Sequence, residues 1–205
     1  MNRCLHSALV VLMAVQMTAC QSAAIRPALG VATSNFFARD SGGHVTIKGR
    51  SPMISLPVRR LVMASGSGAA GFESVSISSD GRIEVVNRVK GREVGYERFA
   101  ARIPVDVATA FLASPTCTNA RRLLNSYSLD DMADGGQAFL RLDNSSASGF
   151  TWMNNCYPDE FVNLWWRGRE LVSSINTGWV RVAKNLDGQE EYYHAAGLKR
   201  RIPST

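Results

Sequence analysis

Two alternating runs, Glu73 to Ser78 and Arg82 to Arg88, are separated by Ser79-Asp80-Gly81, and this spacing constrains the fold more than any other feature of the chain. A two-residue Asp80-Gly81 loop would oppose Ile77 to Glu84 and divide the apolar side chains between two faces. A three-residue loop opposes Ile77 to Ile83 and Val75 to Val85. A one-residue slip turns every side chain over, so the second register wins, with Gly81 in the left-handed position of a bulged type I turn. Strands are expected on either side of this hairpin. Val58 to Ser65 runs into a glycine-rich loop, and Gly95 to Arg102 runs up to Pro104.

Pro104 suits the first turn of a helix, with Val107, Phe111 and Leu112 on one apolar face up to Ala113. A second short helix is expected over Thr118 to Asn125. Gln137 to Leu142 and Phe150 to Asn154 read as a further hairpin around the polar loop from Asp143 to Gly149. Pro158 and Asp159 then open the most strongly patterned helix. Phe161, Leu164, Trp165, Leu171, Val172 and Ile175 fall on one stripe, with Arg167, Arg169 and Glu170 outside it. Trp179 to Ala183 adds a strand. The fold class is α+β: antiparallel hairpins packed against two or three helices, a single domain stapled by one disulfide.

The amino terminus carries an address. Arg3, an apolar stretch from Ala8 to Val15 and the run Met17-Thr18-Ala19-Cys20 have the layout of a secretory signal peptide. The run ending at Cys20 resembles the lipobox of bacterial lipoproteins, in which the thiol is acylated and the cysteine becomes the first mature residue. Met17 stands where leucine is usual. Ordinary signal-peptidase cleavage with an incidental Cys20 fits the same layout. The resemblance implies a protein held on a lipid membrane through acylated Cys20, and Gln21 in the next position favours the outer membrane, facing the periplasm. The apolar stretch falls short of the ~20 residues that span a bilayer. The chain therefore divides into a signal peptide (1–19), a lipidated tether (20–57), an α+β domain (58–183) and a C-terminal segment with a basic tail (184–205). As a flexible coil, Gln21 to Gly43 would reach about 25 to 30 Å.

Removing 19 of 205 residues leaves 186, enough for one sizeable core. The formal charge of +6 falls to +5 without Arg3. The positive residues are scattered, and nucleic acid is the wrong partner for an exported chain. Lys199-Arg200-Arg201 is a solvated cluster that could also touch anionic lipid. With Cys4 removed and Cys20 acylated, Cys117 and Cys156 remain as the thiols of an oxidising compartment and are expected to pair.

Motifs for chemistry are sparse. Gly66-Ser67-Gly68-Ala69-Ala70-Gly71 matches G-x-G-x-x-G, but the fingerprint needs a following helix, and Glu73 to Ser78 alternates as a strand. His44 and His194 stand in no metal spacing. Asp130, Asp131 and Asp134 lack the calcium-loop pattern. No cofactor or metal is expected, and the enzyme class is disfavoured. Among four tryptophans, Trp165 lies on the core stripe and Trp166 at its edge, where aromatic side chains serve as binding hot spots. Gly66, Gly68, Gly71 and Phe72 of the glycine-rich loop are the other candidate protein contacts.

The glycine-rich loop, the strand pair around Asp80-Gly81, the helices, the second hairpin and the helix opened by Pro158 resemble the emfourin-like small bacterial proteins over about residues 58 to 175. Their namesake inhibits thermolysin-type metallopeptidases. The Gly-Gly-Phe-Ala-Gly order of that family is not kept in Gly66 to Phe72, so no inhibitory residue is carried over. The resemblance implies a module that acts by binding another protein. The expected function is a membrane-anchored, periplasmic, non-enzymatic protein-binding lipoprotein, an inhibitor or immunity-type factor whose partner is an envelope protein. The alternatives are a structural or assembly factor of the envelope and a cell-wall hydrolase.

Overall fold

The computed structural model describes residues 45–48, 54–67, 71–88, 95–123, 126–129, 136–154, 157–187, 191 and 194–195. Cys20, Gly68 and Cys156 lie outside this set, as do Asp130, Asp131 and Asp134. Nine strands are described: β1 (Val45–Lys48), β2 (Arg60–Ser67), β3 (Gly71–Ser78), β4 (Arg82–Arg88), β5 (Tyr96–Arg102), β6 (Ser126–Leu129), β7 (Gln137–Asp143), β8 (Ser148–Asn154) and β9 (Val180–Leu186). They form one sheet in the order β1-β6-β8-β7-β2-β3-β4-β5-β9. The neighbours run antiparallel except β6 and β8, which are parallel. The helices are α1 (Val105–Leu112), α2 (Pro115–Ala120) with a 3-10 turn at Arg121–Leu123, and α3 (Asp159–Ser174). The class is α+β.

The β3–β4 hairpin has the register its apolar pattern demands, Val75 opposite Val85 and Ile77 opposite Ile83. Gly81 closes the turn at φ +83°, with its amide donating to the Ser78 carbonyl at 3.0 Å. A side chain there would also run into the Ile103 carbonyl oxygen, so glycine is required twice over.

Inward residues of the central strands, among them Leu61, Met63, Val75, Ile77, Ile83, Val85, Phe99, Leu140 and Leu142, pack with Phe161, Leu164, Trp165 and Val172 of α3. Burying each such side chain contributes about 1.5–3 kcal/mol. Gly168 lets α3 ride close to the sheet, because a Cβ there would stand 2.6 Å from Met63 Cε. The opposite face carries a second, smaller cluster of Val62, Ala64, Phe72, Val86, Tyr96 and Phe139, with Phe150, Leu186 and Ala195 against it. Glu191 pairs with Arg98 beside that cluster, so residues of the expected C-terminal segment belong to the fold.

Several expectations are corrected. The expected disulfide is not supported: Cys117 is a free, fully buried thiol, and Cys156 lies outside the described residues. Counting thiols says nothing about direction, and α2 aims Cys117 into the helix-side core. Burial pushes that thiol up to about 12, with Arg121 opposing, which makes it inert. Val45–Lys48, expected in the tether, pairs with β6, and Ile54 is fully buried. The second helix starts earlier than its composition suggests, because the Ser114 hydroxyl accepts from the Cys117 amide and Pro115 opens the first turn. Pro104 is the N-cap of α1 rather than part of its first turn, and that helix buries Ala108 and Leu112 while Val107 is exposed. Arg169, placed outside the α3 stripe, is buried.

Candidate functional site

From Tyr157, just ahead of α3, along the helix, side chains four residues apart form a column. Tyr157 stacks on Phe161 with ring centroids 6.3 Å apart, and Phe161 on Trp165 at 6.2 Å. Arg169 continues the spacing, its Cζ 5.9 Å from the Trp165 ring and 5.6 Å from the Trp166 ring. The guanidinium is i+4 from one indole and i+3 from the other, the two separations at which helical side chains meet. Cation–π attraction favours this placement.

Glu73 of β3 receives the guanidinium, Arg169 Nη1 lying 3.4 Å from Glu73 Oε2. Both side chains are nearly enclosed, at 9% and 14% exposure for Arg169 and Glu73. Burial pushes the Glu73 carboxyl up to about 7, while Arg169 pulls it down. Burial wins because the guanidinium reaches only one oxygen; Glu73 Oε1 has no hydrogen-bond partner among the described residues. Ser65, directly across on β2, likewise holds an unpartnered, buried hydroxyl, and the Trp165 Nε1 is a third such atom.

On the outer side of this cluster, α2 and α3 enclose an open groove of about 390 Å³. Pro115, Thr116 and Asn119 line one wall; Glu160, Asn163, Trp166, Arg167 and Glu170 line the other. Trp166 is 38% exposed there. Arg167 and Glu170 form an exposed pair at 3.8 Å. Glu160 and Glu170 are the groove's two carboxylates, and ten helical residues set their Cα atoms about 15 Å apart.

Of the residues singled out in the sequence, Trp166 reaches the surface and Trp165 is core. Phe72 is not an exposed contact: it is 9% exposed, stacks on Tyr96 at 4.8 Å, and its amide donates to the Tyr96 hydroxyl at 3.1 Å. Gly66 is buried in β2 opposite Phe72 and Gln137, and Gly71 begins β3 opposite Ser67. The glycine-rich segment and Trp166 are linked through Glu73 and Arg169, two residues not singled out. Their signal was present in the spacing. Glu73 shares inward parity with Val75 and Ile77, and a buried acid demands a cation; Arg169 stands four residues beyond Trp165.

The described residues contain no group of three or more His, Cys, Asp or Glu placed to share a metal ion, and none of their helices is long and apolar enough to cross a membrane. Among known proteins, no family model matches the chain and no curated sequence matches it.

Proposed function

We propose that this chain is a lipid-anchored binding module of the cell envelope, held on the periplasmic face of the outer membrane through Cys20, that contacts another envelope protein through the α2–α3 groove. An inhibitor or immunity-type role follows the resemblance to the emfourin-like proteins. The observation that carries the reading is the exposed Trp166 in the groove. Interface energy concentrates in a few aromatic and arginine anchors surrounded by near-neutral polar contacts. Asn119, Asn163 and Thr116 supply that polar surround, as donors and acceptors that suit a partner's backbone.

The full-length protein, carrying a photo-crosslinker at Asn163, tests the reading in intact cells, with a second crosslinker at exposed Val107 as the comparison site. Asn163 should yield one dominant protein adduct that Val107 does not. Trp166→Ala should weaken its formation by about thirtyfold, the ~2 kcal/mol that defines a hot spot. Undiminished adduct in a stably folded Trp166→Ala protein would overturn the assignment.

A further inference from the structure

We infer that Arg169, anchored by Glu73, is the positioning residue that holds the Trp166 indole ready at the groove. This rests on Trp166 being the contact residue. A surface tryptophan rotates about two side-chain torsions, and a partner must stop that rotation on binding; a ring already held avoids the loss. Arg169 is built to hold it. Its guanidinium is buried, fixed 3.4 Å from Glu73 Oε2 and set against both Trp165 and Trp166. Trp165 is fully buried, so one neighbour of the guanidinium is immobile and the other is the exposed ring.

Packing by itself does not account for the pair. Replacing a buried ion pair by well-packed apolar side chains is often neutral or stabilising, and both partners are nearly enclosed. What an apolar pair cannot supply is a flat cation against an indole. Lysine cannot supply it either, because its ammonium is a compact point charge without a plane. Glu73 stands two residues after Gly71 in β3. The hairpin bearing the glycine-rich segment thus sets the ring that faces the groove.

Fluorine NMR of the full-length protein in detergent micelles, labelled with 5-fluorotryptophan, tests this without any partner. The Trp166 resonance is assigned by its loss in Trp166→Phe. Arg169→Lys keeps the charge and removes the plane; Glu73→Ala removes the anchor; Glu73→Gln keeps an acceptor for the guanidinium. The Trp166 resonance should shift and broaden, and respond more strongly to solvent, in Arg169→Lys and Glu73→Ala. In Glu73→Gln it should stay near the parent position, and the Trp152 and Trp179 resonances should stay put throughout. An unmoved Trp166 resonance in both disruptive variants, with Tm lowered, would show a purely structural pair and overturn the inference. If those variants do not fold, the parent protein decides: a nuclear Overhauser contact between the Arg169 guanidinium and the Trp166 ring is required, and its absence is equally fatal. A held indole with undiminished adduct in Trp166→Ala would overturn the contact reading alone.

Discussion

The two faces of the sheet are made by the same strands and solve opposite problems. On the helix side, the inward residues Leu61, Met63, Val75, Ile77, Ile83, Val85, Leu140 and Leu142 are all fully buried, and the enclosed Glu73–Arg169 pair brings charge in among them. On the other side, the apolar cluster of Val62, Ala64, Phe72, Val86 and Phe139 gives way within one or two strand positions to polar rows. Arg60 Nε donates to Ser76 Oγ at 3.1 Å, Arg82 pairs with Glu84 at 2.6 Å, and Arg141 with Asp143 at 2.8 Å. An enclosed pair carries a high desolvation cost, and here Glu73 Oε1 is left without a hydrogen-bond partner among the described residues. Half-exposed pairs contribute little, since water competes for both partners.

That contrast can be broken by mutation. The largest effect is expected from Phe161→Ala in the helix-side column, a loss of about 3–5 kcal/mol by urea unfolding, as for any fully buried ring. Phe72→Ala on the second face should fall at or below the bottom of that range, because its site borders solvent and can relax. A larger loss at Phe72 would mean the second cluster is the dominant core.

Next in size is the pH dependence that Glu73 imposes. Its ordinary value of 4.5 is pushed up to about 7 in the folded chain, so over this window the native state retains a proton that the unfolded chain has released. The contribution is complete below pH 4.5 and is lost as pH rises to about 7. At 1.36 kcal/mol per unit the ceiling is roughly 3 kcal/mol. Glu73→Gln is permanently neutral and should lack this slope, which urea midpoints of both proteins at pH 4.5 and pH 8 will reveal. A parent protein that gains stability relative to the variant across the window would show that Arg169, not burial, controls the carboxyl. Smallest is Arg60→Ala on the polar rows, which removes its 3.8 Å ion pair with Glu84 and is expected to cost no more than about 1 kcal/mol; a loss comparable to Phe72→Ala would erase the distinction between the two kinds of ion pair.

Much of the helix-side face is legible in the chain. The parity of Val75, Ile77, Ile83 and Val85, with Gly81 at the left-handed position of their turn, specified β3, β4 and their pairing, because register and burial are the same information when one face is covered. The α3 stripe was legible for the same reason. β1 and β6 were not: Val45–Lys48 and Ser126–Leu129 are four residues each, too short for a period to stand out. At the candidate site, Trp166 was readable as the edge of a stripe, whereas Phe72 was misplaced because a single aromatic beside glycines looks the same in a loop and in a strand.

What the sequence determined by itself was local and periodic: the hairpin register, the helix starts near Pro104 and Pro158, and which of two adjacent tryptophans faces the core. Each follows from side-chain spacing over a few residues, where backbone geometry leaves little choice. Tertiary structure decided what depends on contacts between distant segments. It left Cys117 buried and unpaired, brought Glu191 and Ala195 onto the second face, and set Arg169 between two indoles and a carboxylate 96 residues away. Such contacts are fixed by the packing of whole elements, and the spacing of residues along the chain does not encode their direction.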